Sequence, residues 1–217
     1  MNALACRILQ EGAAELGVAI SDELLASFSL LANELQKWNR KINLTAITGD
    51  EEIALKHFVD SLALCRLVSG DDELLDLGSG GGFPVLPLAL VFPDLTAVSV
   101  DAVEKKIIFQ RHAARLLGCR RFEAVHARGE DLPRVLGRRF NRIVSRAFSD
   151  IPTFARMALP LLMPLGTIIA MKGKGGAEEA DAARGPLAEM GLTVVRVAEY
   201  RLPFSGDART LIEIGFY

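Results

Sequence analysis

Cysteine is scarce in this chain. Cys6, Cys65 and Cys119 are odd in number and far apart, so they spell neither a disulfide framework nor a metal-ligand spacing. Each is expected to be a reduced, buried small residue, and no metal site is expected. No apolar run is long enough to span a bilayer. Met1 to Gly17 lack the basic start, apolar block and small-residue cleavage site of an export signal, so a cytoplasmic protein is expected. Aromatic residues make up 6% of the chain, which leaves few stacking platforms. Internal repeats and low-complexity tracts are absent, with Gly173 to Gly176 the nearest thing to a flexible linker. A basic excess is missing too. The net charge of −2 argues against a general nucleic-acid binder.

At 217 residues, half of them apolar, the chain can bury one sizeable core. Its charge is unevenly spread. From Lys105 to Arg146 there are twelve Lys or Arg and three acids, a local +9. The remaining thirteen basic and twenty-four acidic residues give −11. That asymmetry permits a basic face for a polyanion, although charges dispersed over a solvated surface give the same count.

Residues 1–68 read as helical. Leu4, Ile8, Leu9 and Leu16 fall roughly on one face. Ser21 is placed to cap a helix that carries Asp22 and Glu23 in its first turn and Leu24, Leu25, Phe28, Leu31, Leu35 and Trp38 at helical spacing. Asn39 to Thr48 reads as a loop and Glu51 to Val68 as a further helix. Strands and helices then alternate. Strands are expected at 74–77, 96–100, 122–126, 141–145, 167–171, 193–199 and 209–216. Helices are expected at about 84–92, 103–117, 152–162 and 177–190, with Gly118 as a left-handed cap. Such alternation specifies a mostly parallel sheet covered on both faces, and the last two strands, with no helix between them, a closing antiparallel hairpin. Residues 1–68 are thus an N-terminal helical extension and 69–217 a nucleotide-type domain, together one compact unit.

The run Leu74-Leu75-Asp76-Leu77-Gly78-Ser79-Gly80-Gly81-Gly82-Phe83-Pro84 carries the chemistry. A buried strand ends near an acid, glycines come next, and a proline opens the next apolar run. Glycines there let the backbone approach a ligand, and the helix start offers free N–H groups. A dinucleotide fingerprint wants a third glycine where this chain has Phe83, which makes a nicotinamide dehydrogenase a distant reading. Asp101 ends the next strand, where an acid can accept both ribose hydroxyls of a nucleoside or merely cap the next helix. Asp-x-Gly-x-Gly with that second acid is the pattern of S-adenosylmethionine (SAM) methyltransferases on a Rossmann-like fold.

The residues after the fourth strand narrow the acceptor. Ser145-Arg146-Ala147-Phe148 stands where exocyclic-amine methylases carry an Asn/Asp-Pro-Pro-aromatic motif. No cysteine sits in a Pro-Cys or Thr-Cys turn suited to attack on a pyrimidine ring. A ring nitrogen such as guanine N7 needs neither device, because its in-plane lone pair has no proton to lose. A free small-molecule acceptor, or a non-catalytic module that only binds SAM or RNA, stays open at this point.

The chain resembles the bacterial small-subunit rRNA guanine-N7 methyltransferases, the RsmG or glucose-inhibited-division protein B family. The resemblance rests on Trp38-Asn39, Asn43 to Ile47, His57 to Leu62, Asp76 to Pro87, Asp101-Ala102 with Lys105-Lys106 and Phe109, Arg128 to Asp131, Ser145 to Ala147, Lys172-Gly173, and Leu202-Pro203 with Arg209. Val85 and Ala102 depart from the family's usual glycine and serine. The resemblance implies SAM as donor and N7 of one guanine in 16S rRNA, free or in a small-subunit particle, as acceptor. It implies that Gly78, Gly80, Phe83 and Asp101 line the cofactor, with Gly129 and Glu130 at its adenine edge and Arg146 near cofactor and RNA. Arg146 could equally be taken up by a nearby acid. His57 and Asp60 share a helix face; His57 is a conceivable base, although a packing or pocket-floor role is the stronger reading. Asn39 and Asn43 flank a loop that could touch cofactor or RNA. Lys105, Lys106, Arg111, Arg115, Lys172, Lys174 and Arg209 are candidate phosphate contacts. Phe83, Phe148 and Phe204 are the few candidates to stack on a base.

Overall fold

A computed structural model describes residues 1–217 apart from 147 and 148 and the side chain of Glu130. Phe148 therefore lies outside the described residues, as does the Glu130 side chain.

Two helices open the chain, α1 (Ala3–Glu15) and α2 (Asp22–Ile42). A broken helical segment comes next: α3 (Asp50–Glu52), a π-helical turn (Ile53–Val59), α4 (Asp60–Leu62) and a 3-10 turn (Ala63–Arg66). Then come β1 (Glu73–Leu77), α5 (Val85–Val91), β2 (Thr96–Asp101), α6 (Glu104–Leu116), β3 (Phe122–His126), α7 (Leu132–Leu136) and β4 (Phe140–Arg146). The chain closes with α8 (Ile151–Ala158), β5 (Leu162–Lys172), α9 (Gly176–Glu189), β6 (Leu192–Arg201) and β7 (Ala208–Phe216). The seven strands lie in the order β3-β2-β1-β4-β5-β7-β6. The first five in that order are mutually parallel, and β7 runs antiparallel to both β5 and β6. Chain order reverses between β1 and β4. The crevice at their carboxyl ends is where open α/β sheets take ligands.

Strand alternation sorts the core into two layers. Leu74, Ala97, Val144 and Ile169 pack into one apolar cluster with α1, α2, the π turn, α5 and α6. Their strand neighbours Leu75, Val98, Ile143 and Ile168 pack into the other, with α7, α8 and α9. The N-terminal helices therefore share a core with the sheet. One aromatic line makes the join. Phe28 of α2 lies 4.9 Å from Phe58, and Phe58 lies 6.1 Å from Phe83 in the glycine turn.

Four details differ from the sequence expectation. Helix α2 runs on to Ile42, into the expected loop, because Asn43 closes it in a left-handed conformation (φ 50°) that Asn tolerates. The segment Glu51 to Val68 is not one regular helix; it widens to a π turn at Ile53–Val59 and tightens at Ala63–Arg66. Helix α8 stops at Ala158, and the chain enters β5 by Leu162, near Pro160 and Pro164. Helix α7, with Pro133 in its first turn, is not among the expected helices. The cysteines are free, but half-buried rather than fully buried. Burial still pushes the Cys65 thiol up to about 12 and the Cys119 thiol to about 11, which leaves both inert at neutral pH.

Gly12 sets how closely α1 seats on the π turn that carries His57. A Cβ there would lie 2.9 Å from a Val59 methyl, and a β-branched neighbour has little rotamer freedom to yield. Gly12→Val should cost about 1–3 kcal/mol by overpacking, read as a lower thermal midpoint; an unchanged midpoint would mean that α1 is not seated there.

Candidate active site

The glycine turn is built by hydrogen bonds to β2 and α6. Gly78 N–H and Ser79 N–H both donate to Val100 O, at 2.9 and 3.1 Å. Gly78, Gly80 and Gly82 have φ of 76°, 58° and 87°, which side-chain-bearing residues adopt only at a cost. The Gly80 peptide groups are clamped from two sides. Its N–H donates to Asp101 Oδ2 at 2.9 Å, and its carbonyl accepts from Gln110 Nε2 at 2.8 Å. Gln110, fully buried on α6, also donates to Ser79 Oγ at 2.9 Å and accepts from Ser99 Oγ. Asp101 Oδ1 accepts the Val103 N–H at 2.8 Å, and Lys106 Nζ lies 3.6 Å from Oδ2. Asp101 thus fixes the residue just before α6, at the mouth of the crevice, without capping the helix itself.

Asp76 lies beneath this turn at the tip of β1. It is fully buried, and neither carboxyl oxygen has a hydrogen-bond partner. Burial pushes its carboxyl well above the usual carboxylate range, opposed by the Arg146 charge. A buried polar group without a partner is costly. A cationic ligand in the crevice would supply the missing partner.

Across the crevice, Arg146 ends β4 and ties the π turn to the sheet. Its guanidinium donates to Lys56 O at 2.9 Å, to Asp60 Oδ2 at 3.3 Å and to His57 Nδ1 at 3.1 Å. Arg209 of β7 donates to the other Asp60 oxygen at 2.9 Å. Asp60 is thus an anion shared by two arginines. Arg146 cannot accept, so His57 Nδ1 is the acceptor and the ring proton sits on Nε2, 2.9 Å from Thr45 Oγ1. The imidazole also stacks on Phe83, centroids 4.3 Å apart with the planes 4° from parallel. Burial, with help from the Arg146 charge, lowers its pKa to about 3. His57 is neutral, its one lone pair is occupied, and it is no general base in this arrangement.

Two cavities open along the crevice. One, of about 110 Å³, is lined by Leu77, Gly78, Asp101, Ala102, Arg128 and Gly129 among others. Met157 packs directly against the Gly129 Cα. Ligand pockets generally exceed about 300 Å³, and the flexible Met157 thioether is one side chain in this wall that can turn. The other, of about 370 Å³, lies beyond Arg146 and is lined by Lys56, His57, Lys172, Tyr200, Arg209 and Thr210 among others.

The structure brings Gly78, Gly80, Asp101 and Gly129 to one side of the crevice and Phe83, His57 and Arg146 to the centre. Lys172 and Arg209 stand on the far side, and neither is a free cation. Lys172 pairs with Glu179 at 2.8 Å, and Arg209 with Asp60 and Asp207. Lys105 and Arg111 are exposed on α6, Arg111 with its Nε bound to Ala124 O. Phe204 is exposed, and Asn39 is spent on both backbone groups of Thr45. Sequence reasoning misses Gln110, Met157 and Thr45 because long-range packing alone brings them to the crevice. The lone signal for Gln110 is a polar residue on the apolar face of α6.

Gln110→Ala should lower ligand affinity at the glycine turn by about 1–3 kcal/mol through the unpaired Gly80 carbonyl, with Gln110→Glu failing likewise because it cannot donate; calorimetry that finds both variants unchanged would show the clamp idle. For Asp76, the folded chain keeps a proton that the unfolded chain gives up once pH passes the ordinary carboxylate range near 3.8. Stability therefore falls as pH rises through that window. Asp76→Asn should unfold at a higher temperature than the parent at pH 7, the gap shrinking toward pH 4; a gap that does not change with pH would contradict the buried-acid reading.

The family model described as rRNA small subunit methyltransferase G matches residues 24–204. The Ribosomal RNA small subunit methyltransferase G of Geobacter sulfurreducens is 90% identical, with 100% of each chain covered. That of Geobacter metallireducens is 61% identical over 96% of this chain and 94% of its own. Among solved structures, M. jannaschii TYW2 in complex with AdoMet aligns with a TM-score of 0.58 at 9% identity, covering 73% of this chain and 75% of that one, a likeness of fold alone. A match across most of the chain, over a range that includes the glycine turn and Arg146, leaves one conclusion: this chain belongs to the GidB family, the rRNA small subunit methyltransferases G.

Proposed function

We propose that this protein transfers the methyl group of SAM to N7 of one guanine in 16S rRNA. The observation that carries the reading is the glycine turn clamped to Asp101 over the unpartnered Asp76 carboxyl, at the point where sheet order reverses. SAM, when bound, supplies an electrophilic methyl on a sulfonium centre.

The chain's residues divide the remaining work. Asp101 keeps lone pairs for sugar hydroxyls beside its bonds to Gly80 and Val103. Gly78 and Gly80 allow close backbone approach, and Gly129 leaves room at the adenine edge once Met157 moves. Asp76, held in its protonated form by burial, would release that proton to solvent when a cationic ligand binds beside it. The larger cavity beyond Arg146 has room for a base, with Tyr200 and the paired guanidiniums of Arg146 and Arg209 in its wall. His57 and Phe83 form the floor between the two halves. No unoccupied base faces this floor among the described residues, which suits an acceptor with a lone pair and no proton to lose; catalysis is then alignment. N7 sits in the deep groove of A-form RNA, so the target guanine belongs in a loop or bulge and is turned out into the pocket.

Mass mapping of 16S rRNA with and without the gene should show one missing guanine methylation, restored by purified protein and SAM. Full methylation in its absence, or turnover of a free small acceptor instead, would refute the assignment. Asp101→Ala should weaken SAM binding by about 1–3 kcal/mol; unchanged affinity would remove the ribose role.

A further inference from the structure

We infer that the β3 edge of the sheet is a docking track for an RNA phosphate backbone, separate from the pocket where the methyl is transferred. This second surface rests on the RNA reading of the protein's function and extends it.

Strand β3 ends the sheet and pairs with β2 alone. Arg121 O accepts from β2, so strand alternation turns the Ala124 carbonyl to the open side. Arg111 of α6 reaches over and donates to that carbonyl at 2.9 Å. Helix α6 thereby lies along the open edge, with Lys105 near the crevice mouth and Arg115 near the opposite end. Arg120 and Arg121 enter β3 at that opposite end. Arg138, bonded to Glu123 at 2.6 Å, draws the turn before β4 against the same strand and brings Arg139 with it. Arg111, Arg115, Arg120, Arg121 and Arg139 thus gather along the open edge and at the far end of the sheet, with Lys105 at the start of α6 beside the crevice mouth. Thirteen residues of α6 span about 20 Å, long enough to pass several phosphates.

Three features favour RNA. Ten of the twelve basic residues from Lys105 to Arg146 are arginine, whose planar fork suits phosphate and is less strongly hydrated than an ammonium. Arg120, Arg121 and Arg139 are exposed and have no ion-pair partner among the described residues. The nearby acids are few: Glu123 is taken by Arg138, Glu104 stands at the start of α6, and Asp94 lines a cavity with Arg120. An open edge also needs charge to block strand addition, but that task does not call for arginine over lysine.

The test uses the full chain with Arg120→Gln, Arg121→Gln and Arg139→Gln combined, assayed on small ribosomal subunits from cells lacking the gene. KM for the subunit should rise about tenfold or more near 0.15 M salt, and the slope of log KM against log salt should become shallower by about two to three. Calorimetry should find SAM affinity unchanged, and kcat should hold. The matching triple to lysine, which keeps the charge, should retain most of the salt slope. Unchanged KM and slope in the glutamine triple, or a loss that falls on kcat, would overturn the track. Failure of the RNA reading itself looks different: the parent protein would then methylate no subunit at all.

Discussion

The grip on the Gly80 peptide governs this molecule's chemistry. One carboxylate from β2 and one amide from α6 hold a single glycine in a left-handed conformation. That fixes the path of the turn, and the turn fixes what can lie over the buried Asp76. Phe83 leaves the same turn to stack on His57, and His57 accepts from Arg146. A displacement of the glycine turn would therefore be felt at the end of β4, where donor and acceptor have to meet.

The charges around the crevice are closely balanced. Asp60 serves two arginines at once, so the cavity beyond Arg146 gathers cations without an unpaired buried charge. Asp76 is the counter-case, a buried acid with nothing to hold. Stability is given up there, and such departures from good packing cluster where a ligand completes the site.

Much of the fold is legible in the sequence because its signals are local. The β1 run, the glycine cluster and Gly118 each declare a strand end or a turn through backbone chemistry, and the missing helix before β7 announces the antiparallel close. The hidden features depend on distant contacts. Nothing near Ile53 shows that the helix widens to a π turn, and the contacts of His57 with Thr45, Phe83 and Arg146 lie far off in sequence. The short helix α7 beside Pro133 lacks the periodicity that betrays a longer helix. Asp101 is legible as an acid at a strand tip, but its hold on Gly80 is not. The same holds for Lys172 and Arg209, which read as free cations in sequence and stand in ion pairs once folded.

The most direct measurement is a crystal structure with SAM bound. The sugar hydroxyls should lie within hydrogen-bond distance of Asp101, with the ligand backbone-close to Gly78 and Gly80 and Met157 turned away from Gly129. A ligand bound elsewhere, or an Asp101 carboxylate pointing away from the sugar, would contradict the account.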